Sequence, residues 1–323
     1  MTAREGLQMG KTQEELAASR EIRQKVLNKY GFIPKSVLEI DYSWGKHIIE
    51  YEERKQQNTG ADKHTRMKYN IQTYETQGGE TKEFNQTLDA FAMSSQGVRG
   101  KSNGVSTFPP ALARFIVEYY SEQGDTVADC CAGHNSRMQV TFELGRNYIG
   151  YDVSVEYQAF NENVKQILYG KGDQGILFAL KNTITLHVQS SEKMVEVDNS
   201  IDMIYTSPPY FSVEHYTDEP EQLGKSETYE VFLLRLKQII SECYRVLKVG
   251  KYCIFNVNDF RMSNRFHPFH ADVMRLFTEV GFKLHDVVIV KWSNAIGAAF
   301  ASQVEDRKVT AKSHEYLVVA KKI

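Results

Sequence analysis

The chain has 323 residues, of which 41% are hydrophobic and 25% charged, enough for one large core with or without an appendage, and too apolar for a disordered chain. A net charge of −2 excludes a uniformly basic nucleic-acid binder but leaves room for a basic groove on an acidic body. No apolar run is long enough to span a membrane, and the polar stretch Met1 to Arg20 does not read as a signal peptide. The four cysteines, Cys130, Cys131, Cys243 and Cys253, contain no CxxC pair; this argues against a zinc site or a disulfide framework and fits a reducing cytoplasm.

Residues 1–30 predict a helix, with Leu16, Ile22, Val26 and Leu27 at helical spacing and Gly31 as a stop. Phe32-Ile33-Pro34 is a turn into a short stretch around Val37 to Tyr42. Residues 54–68 carry Arg54, Lys55, Lys63, His64, Arg66 and Lys68 against one acid, Asp62. A solvated loop and a phosphate-contacting appendage both fit that composition. Gln72 to Glu83 is polar and turn-rich. Ser95 to Gly104 holds three glycines and two bases, and reads as a linker or as a loop that carries Arg99 or Lys101 to an anion.

A helix starts at Phe108-Pro109-Pro110, with Leu112, Phe115, Ile116 and Tyr119 on one face. Strands are predicted at Thr126–Asp129, Tyr148–Asp152, Ile184–Val188, Ser200–Tyr205, Lys251–Val257, Val287–Trp292 and Glu315–Ala320. Helices are predicted at 137–144, 155–169, 229–247 and 270–280. The alternation gives a mostly parallel seven-stranded α/β sheet with helices on both faces. The fourth strand runs into Thr206-Ser207-Pro208-Pro209-Tyr210. Prolines cannot donate to a ladder, so the strand stops there and projects Ser207 and Tyr210 in fixed directions. The carboxyl edge of such a sheet is where ligands bind.

The segment Asp129 to Asp152 has the logic of a nucleotide-binding βαβ unit. A small-residue loop lets backbone amides approach a ligand, and an acid ending the next strand can accept from ribose hydroxyls. The lack of a GxGxxG disfavours a pyrophosphate cofactor. Asp129-Cys130-Cys131-Ala132-Gly133-His134-Asn135 resembles the Asp-Pro-Phe-x-Gly-x-Gly loop of DNA amino-methyltransferases. Leu144 to Asp152, Glu315 to Val319 and the Ser-Pro-Pro-Tyr string resemble further motifs of that family. The resemblance spans about 105–320 and implies a Rossmann-like methyltransferase fold with S-adenosylmethionine as cofactor.

On that resemblance the cofactor site comprises Phe108, Pro109, Asp129, Cys131, Ala132, Gly133, His134, Asn135, Asp152, Gln189, Ser190 and Thr206. Cys130, Cys131 and Asn135 depart from the family's Pro, Phe and second Gly; Asn135 is expected to keep the turn because Asn tolerates a left-handed backbone. His134 either contacts the cofactor carboxylate or faces solvent. The family's acid after the third strand is replaced by His187-Val188-Gln189-Ser190-Ser191, so Gln189 and Ser190 stand for the adenine contacts. The catalytic set is Ser207, Pro208, Pro209 and Tyr210: Ser207 and the Pro208 carbonyl accept the protons of an exocyclic amino group, and Tyr210 stacks on a flipped-out base. Phe211, His215 and Tyr216 either line the base pocket or pack on the next helix.

Ser207 as first letter points to N4 of cytosine, with N6 of adenine as the alternative and an RNA or protein amino-methyltransferase behind it. No cysteine follows a proline, which disfavours cytosine C5 chemistry. A binding protein without turnover is the reading from outside enzymology. Residues 1–94 are expected as an appendage for DNA contact or target recognition, and 95–323 as the catalytic domain. Residues 211–228 and 293–313, the latter with Arg307, Lys308 and Lys312, are the other regions that could meet DNA. The resemblance implies DNA as partner, leaves a restriction endonuclease or a homodimer open, and implies a cytoplasmic, prokaryotic or phage-encoded setting with no metal.

Overall fold

Apolar runs too uniform for a half-exposed strand form the centre of the molecule. The computed structural model describes residues 13–30, 34–40, 71–75, 81–85, 108–170, 182–211, 219–262, 264–292, 308–310 and 313–323. Along the chain these form α1 (Gln13–Tyr30), β1 (Val37–Ile40), β2 (Ile71–Glu75), β3 (Thr81–Asn85), α2 (Pro110–Tyr120), β4 (Thr126–Asp129), α3 (Ser136–Glu143), β5 (Asn147–Asp152), α4 (Val155–Gly170), β6 (Ile184–Val188) and β7 (Ile201–Thr206). Then follow α5 (Tyr229–Val246), β8 (Leu247–Val257), β9 (Phe260–Met262), β10 (Arg265–His267), α6 (Phe269–Val280), β11 (Lys283–Trp292) and β12 (His314–Lys321).

The main sheet has the order β1-β11-β12-β8-β7-β4-β5-β6. All neighbouring pairs are parallel except those of β12, which runs antiparallel to both β11 and β8. The chain lays β4, β5 and β6 outward on one side, then returns to β7 and builds the other side. The order therefore reverses between β4 and β7, and that reversal opens a crevice at their carboxyl ends.

Both faces of the sheet are covered. Ile204, Phe255, Val318 and Ala320 pack with Phe232, Leu236, Ile240, Val273 and Phe277 of α5 and α6. The alternate residues Met203, Tyr205, Ile254, Leu317 and Val319 pack with Leu112, Phe115 and Ile116 of α2. Every residue of β7 is buried. This is why the strands read as continuous apolar runs.

The sheet has eight strands where the sequence predicts seven. The extra strand, β1, pairs in parallel with β11, Val37 opposite Ile289 and Ile40 opposite Trp292. Leu38 is 3% exposed and packs with Val288 and Val290. Part of the segment expected as an appendage is thus an edge strand of the catalytic sheet. The polar stretch around Gln72 to Glu83 contains the β2/β3 hairpin instead of only turns. A second unpredicted hairpin, β9/β10, pairs Phe260 with His267. The basic run 54–68, the loop 95–104, His215, Tyr216, Arg307 and Lys312 lie outside the described residues.

Candidate active site

The crevice holds a cavity of about 1060 Å³, counted out to its open mouth. The β4 end contributes Cys130, Cys131, Gly133 and His134; the β5 end contributes Asp152, and the segment after β6 contributes Gln189, Ser190 and Ser191. From β7 come Ser207, Pro209 and Tyr210, and Phe108 and Pro109 close one wall from the start of α2. The strand end that halts at two prolines and the small-residue loop therefore face the same space.

Asp129 does not line that space. It is fully buried, and its carboxylate holds the loop from behind. Oδ2 accepts from Arg137 Nε at 2.6 Å and from the Tyr148 hydroxyl at 3.0 Å, and Oδ1 accepts from Thr206 Oγ1 at 2.7 Å. The Cys131 amide donates to both Asp129 Oδ1 and Thr206 Oγ1, at 3.2 and 3.0 Å. Thr206 is likewise buried, a brace between β7 and the loop. Arg137 is one residue that sequence reasoning missed. Its Nη2 also donates to the carbonyls of Cys131 at 2.6 Å and Ala132 at 3.2 Å, and its guanidinium lies 5.0 Å from the Phe108 ring centroid. A base in the first turn of the helix after such a loop was the available signal.

Gly133 carries the left-handed position of the turn, with φ of 51° and open space where a Cβ would stand. Asn135 does not: it has φ −60° and ψ −13° at the start of α3, and its amide donates to Gln139 Oε1 at 2.9 Å. The expected left-handed Asn135 is therefore corrected; Gly133 alone supplies the reversal, and Asn135 is a buried helix-start residue behind the wall. Ala132 is buried too, its amide bonded to the Tyr151 carbonyl at 2.8 Å. Pro208 is buried and does not line the cavity.

Asp152 Oδ2 accepts from the Gly133 amide at 2.7 Å and Oδ1 from the Ser154 amide at 2.8 Å. Burial raises its pKa against the pull of those two N–H groups. Each oxygen keeps a lone pair for a hydroxyl donor. His134 is no solvent-facing loop residue. Both ring nitrogens are buried with no hydrogen-bond partner, and the ring sits 4.5 Å from that of Tyr157. Burial, then the charge of Arg137, lowers its pKa to about 4, so it is neutral at pH 7. Burial also pushes the Cys131 thiol well up, which keeps it protonated and inert as a nucleophile.

On the other side, Tyr210 packs edgewise against Phe269, with centroids 6.2 Å apart, and lies 6.1 Å from Phe260. Phe211 turns away into the core against Tyr229 and Phe232, so of its two readings the packing one holds. Arg235 of α5 donates to the Glu221 and Gln222 carbonyls at 2.7 and 3.1 Å and to Glu192 Oε1 at 2.6 Å. It ties the cavity wall at Glu221–Leu223 to the loop after β6. Asn256 and Glu315 complete the lining, and neither was singled out as a site residue from sequence.

Among the described residues no group of three or more His, Cys, Asp or Glu could hold a metal ion, and no helix is long and apolar enough to cross a membrane. S-adenosylmethionine fits what is present: a glycine corner with room beside it, a carboxylate for ribose hydroxyls, and two unmatched ring nitrogens in one wall. Phe108, Gly133, His134, Asp152, Gln189 and Ser190 would hold it.

Comparison with known proteins follows the same line. The family described as DNA methylase, of N6/N4 methyltransferases, matches residues 26–163 and 201–323. The Type II methyltransferase M.XycI of Xanthomonas campestris pv. cyanopsidis is 30% identical over 143 residues, covering 36% of this chain and 47% of its own. M.Cfr9I of Citrobacter freundii is 28% identical over 148 residues, covering 38% and 48%. The chain thus spans about half the length of these curated relatives. A solved S-adenosylmethionine-dependent methyltransferase from Methanosarcina mazei aligns at 15% identity with a TM-score of 0.43, over 68% of this chain and 99% of that one. With the family match running through well over half of its length, the chain belongs to the DNA methylase family, whose cofactor is S-adenosylmethionine.

Proposed function

We propose that the protein methylates an exocyclic amino group of a DNA base, N4 of cytosine in preference to N6 of adenine. The observation that carries this reading is the shared cavity: the Gly133–Asp152 corner and Ser207, Pro209 and Tyr210 open onto one space. S-adenosylmethionine supplies an electrophilic methyl group, and no covalent enzyme intermediate is needed.

The chain's own residues answer the weak nucleophilicity of an aromatic amine. Ser207 Oγ accepts an amino proton and biases the nitrogen toward tetrahedral geometry. Pro208, buried behind the lining, and Pro209 keep that acceptor still, so positioning supplies much of the rate. Tyr210 stacks on the base, which contributes about 1–3 kcal/mol. In a duplex the target lies inside the stack, so the base is flipped into the cavity. Ser207 in first place, where adenine enzymes of this family usually carry an acid or amide, favours cytosine.

Residues 1–94 are proposed to contact DNA or recognise the target, with the 54–68 bases on phosphates, and 95–323 to form the catalytic part, whose sheet β1 completes at one edge. A restriction endonuclease partner belongs to the same reading, since the matched relatives are Type II methyltransferases. The test is incubation with labelled S-adenosylmethionine and DNA, RNA or protein, followed by nucleoside analysis. Label in N4-methylcytosine is expected. Label in N6-methyladenine would move the target, and label only in RNA or protein would overturn the DNA assignment.

A further inference from the structure

Asn256 and Glu315 line the same cavity as Ser207, and no step above uses them. Strands β7 and β8 run parallel with Thr206 opposite Phe255, so Ser207 and Asn256 are the next residues in that register. Asn256 is 3% exposed, and its Nδ2 donates to Glu315 Oε2 at 2.7 Å. A carboxylate oxygen can only accept, so the amide must turn its NH2 toward Glu315 and its oxygen away. That oxygen, Oδ1, is buried and has no hydrogen-bond partner in the protein. Leaving a buried acceptor unmatched costs about 1–3 kcal/mol, a cost relieved when a ligand brings a donor.

We infer that Asn256 Oδ1, oriented by Glu315, accepts the second proton of the exocyclic amino group of the target base, beside Ser207 Oγ. The inference rests on the methyltransferase reading above and deepens it. The cofactor corner is built from the ends of β4, β5 and β6, on one side of the topological reversal. Asn256 and Glu315 come from β8 and β12, on the other side, with Ser207 and Tyr210. An acceptor there also selects a substrate class. A base with a keto oxygen in place of the amino group would set acceptor against acceptor and be refused, because an unpaired buried polar group discriminates more strongly than a missing contact in an apolar pocket.

The experiment uses the full chain, S-adenosylhomocysteine as cofactor probe and an unmethylated random-sequence duplex as substrate. Asn256→Leu is expected to bind S-adenosylhomocysteine within about twofold of wild type. Its methyl incorporation should fall about 10- to 100-fold. Glu315→Gln, which still offers an oxygen to Nδ2, should lose less than Glu315→Leu. Retained cofactor affinity reports folding; if Asn256→Leu does not fold, the Glu315 pair carries the test through the same two readouts. Wild-type incorporation in Asn256→Leu, or equal losses of cofactor affinity and rate, would overturn the inference alone. A wild-type protein that labels no DNA would overturn both the inference and the function it rests on.

Discussion

Arg137 and Asp129 form an ion pair at 2.6 Å with side chains 7% and 1% exposed; Asp129 holds the cofactor loop from behind while Arg137 also reaches the cavity wall. Arg137→Met removes the cation and leaves a buried carboxylate facing only neutral donors. A stability loss of about 3–5 kcal/mol is expected, read as a lower midpoint in denaturant. Two loop carbonyls lose their donor as well, so cofactor affinity should fall together with stability. Arg137→Lys should not rescue, because an ammonium cannot serve the carboxylate and both carbonyls in the same planar arrangement.

Ser207→Ala and Tyr210→Ala should lower the methylation rate while leaving cofactor affinity nearly unchanged. For Tyr210→Ala the loss expected in transition-state stabilisation is about 1–3 kcal/mol, the worth of one stacked base. Calorimetry with S-adenosylhomocysteine beside single-turnover methylation separates the two quantities. Equal losses in both would contradict the assigned roles.

Gly150 lies in β5 where a Cβ would stand 2.7 Å from Tyr148 Cε1 and 3.2 Å from the Ala132 Cβ. Tyr148 is fixed by its hydrogen bond to Asp129 and cannot swing aside without freeing a buried hydroxyl. Gly150→Ala should therefore cost about 1–3 kcal/mol of stability as an overpacked site. Thermal unfolding measures it, and an unchanged melting temperature would show that the strand and loop can separate.

His134 titrates in a definite window. Its folded pKa of about 4 lies below the ordinary 6.5, so the unfolded chain takes up its proton first as pH falls. Stability is fully present above about pH 6.5 and is lost as pH drops toward 4, by on the order of 2 kcal/mol. His134→Gln should lose less stability than wild type between pH 7 and 4.5. Parallel unfolding curves for the two proteins across that range would contradict this.

Much of the architecture could be read in the chain because strands buried on both faces are long apolar runs with turns between them. The β1 strand escaped because four residues, one of them Glu39, carry too little pattern. The three-residue strands β9 and β10 hold barely more than one two-residue alternation, too little to make a pattern. In the site, Gly133, Asp152, Ser207 and Tyr210 are legible because backbone conformation and local chemistry restrict the residue type. Asp129 and Thr206 were placed against the ligand, whereas they hold the loop from behind; a motif records that a residue is needed and not which side of the wall it occupies. Asn256 is defined by Glu315, 59 residues away, which no local window contains, whereas Arg137 has its hydrogen-bond partners within eight residues and was overlooked.

The β1 strand also decides how this protein can be cut. The Ile289 amide donates to the Ser36 carbonyl at 2.7 Å, and Leu38 seals the end of a core that α2 also fills. A truncated protein that starts beyond residue 40 would bare the hydrogen-bonding groups of β11 and the apolar row beside them, the kind of edge that recruits another chain. Such a truncation should associate with itself in solution, and residues Val37–Ile40 are better treated as part of the main sheet than as a removable module.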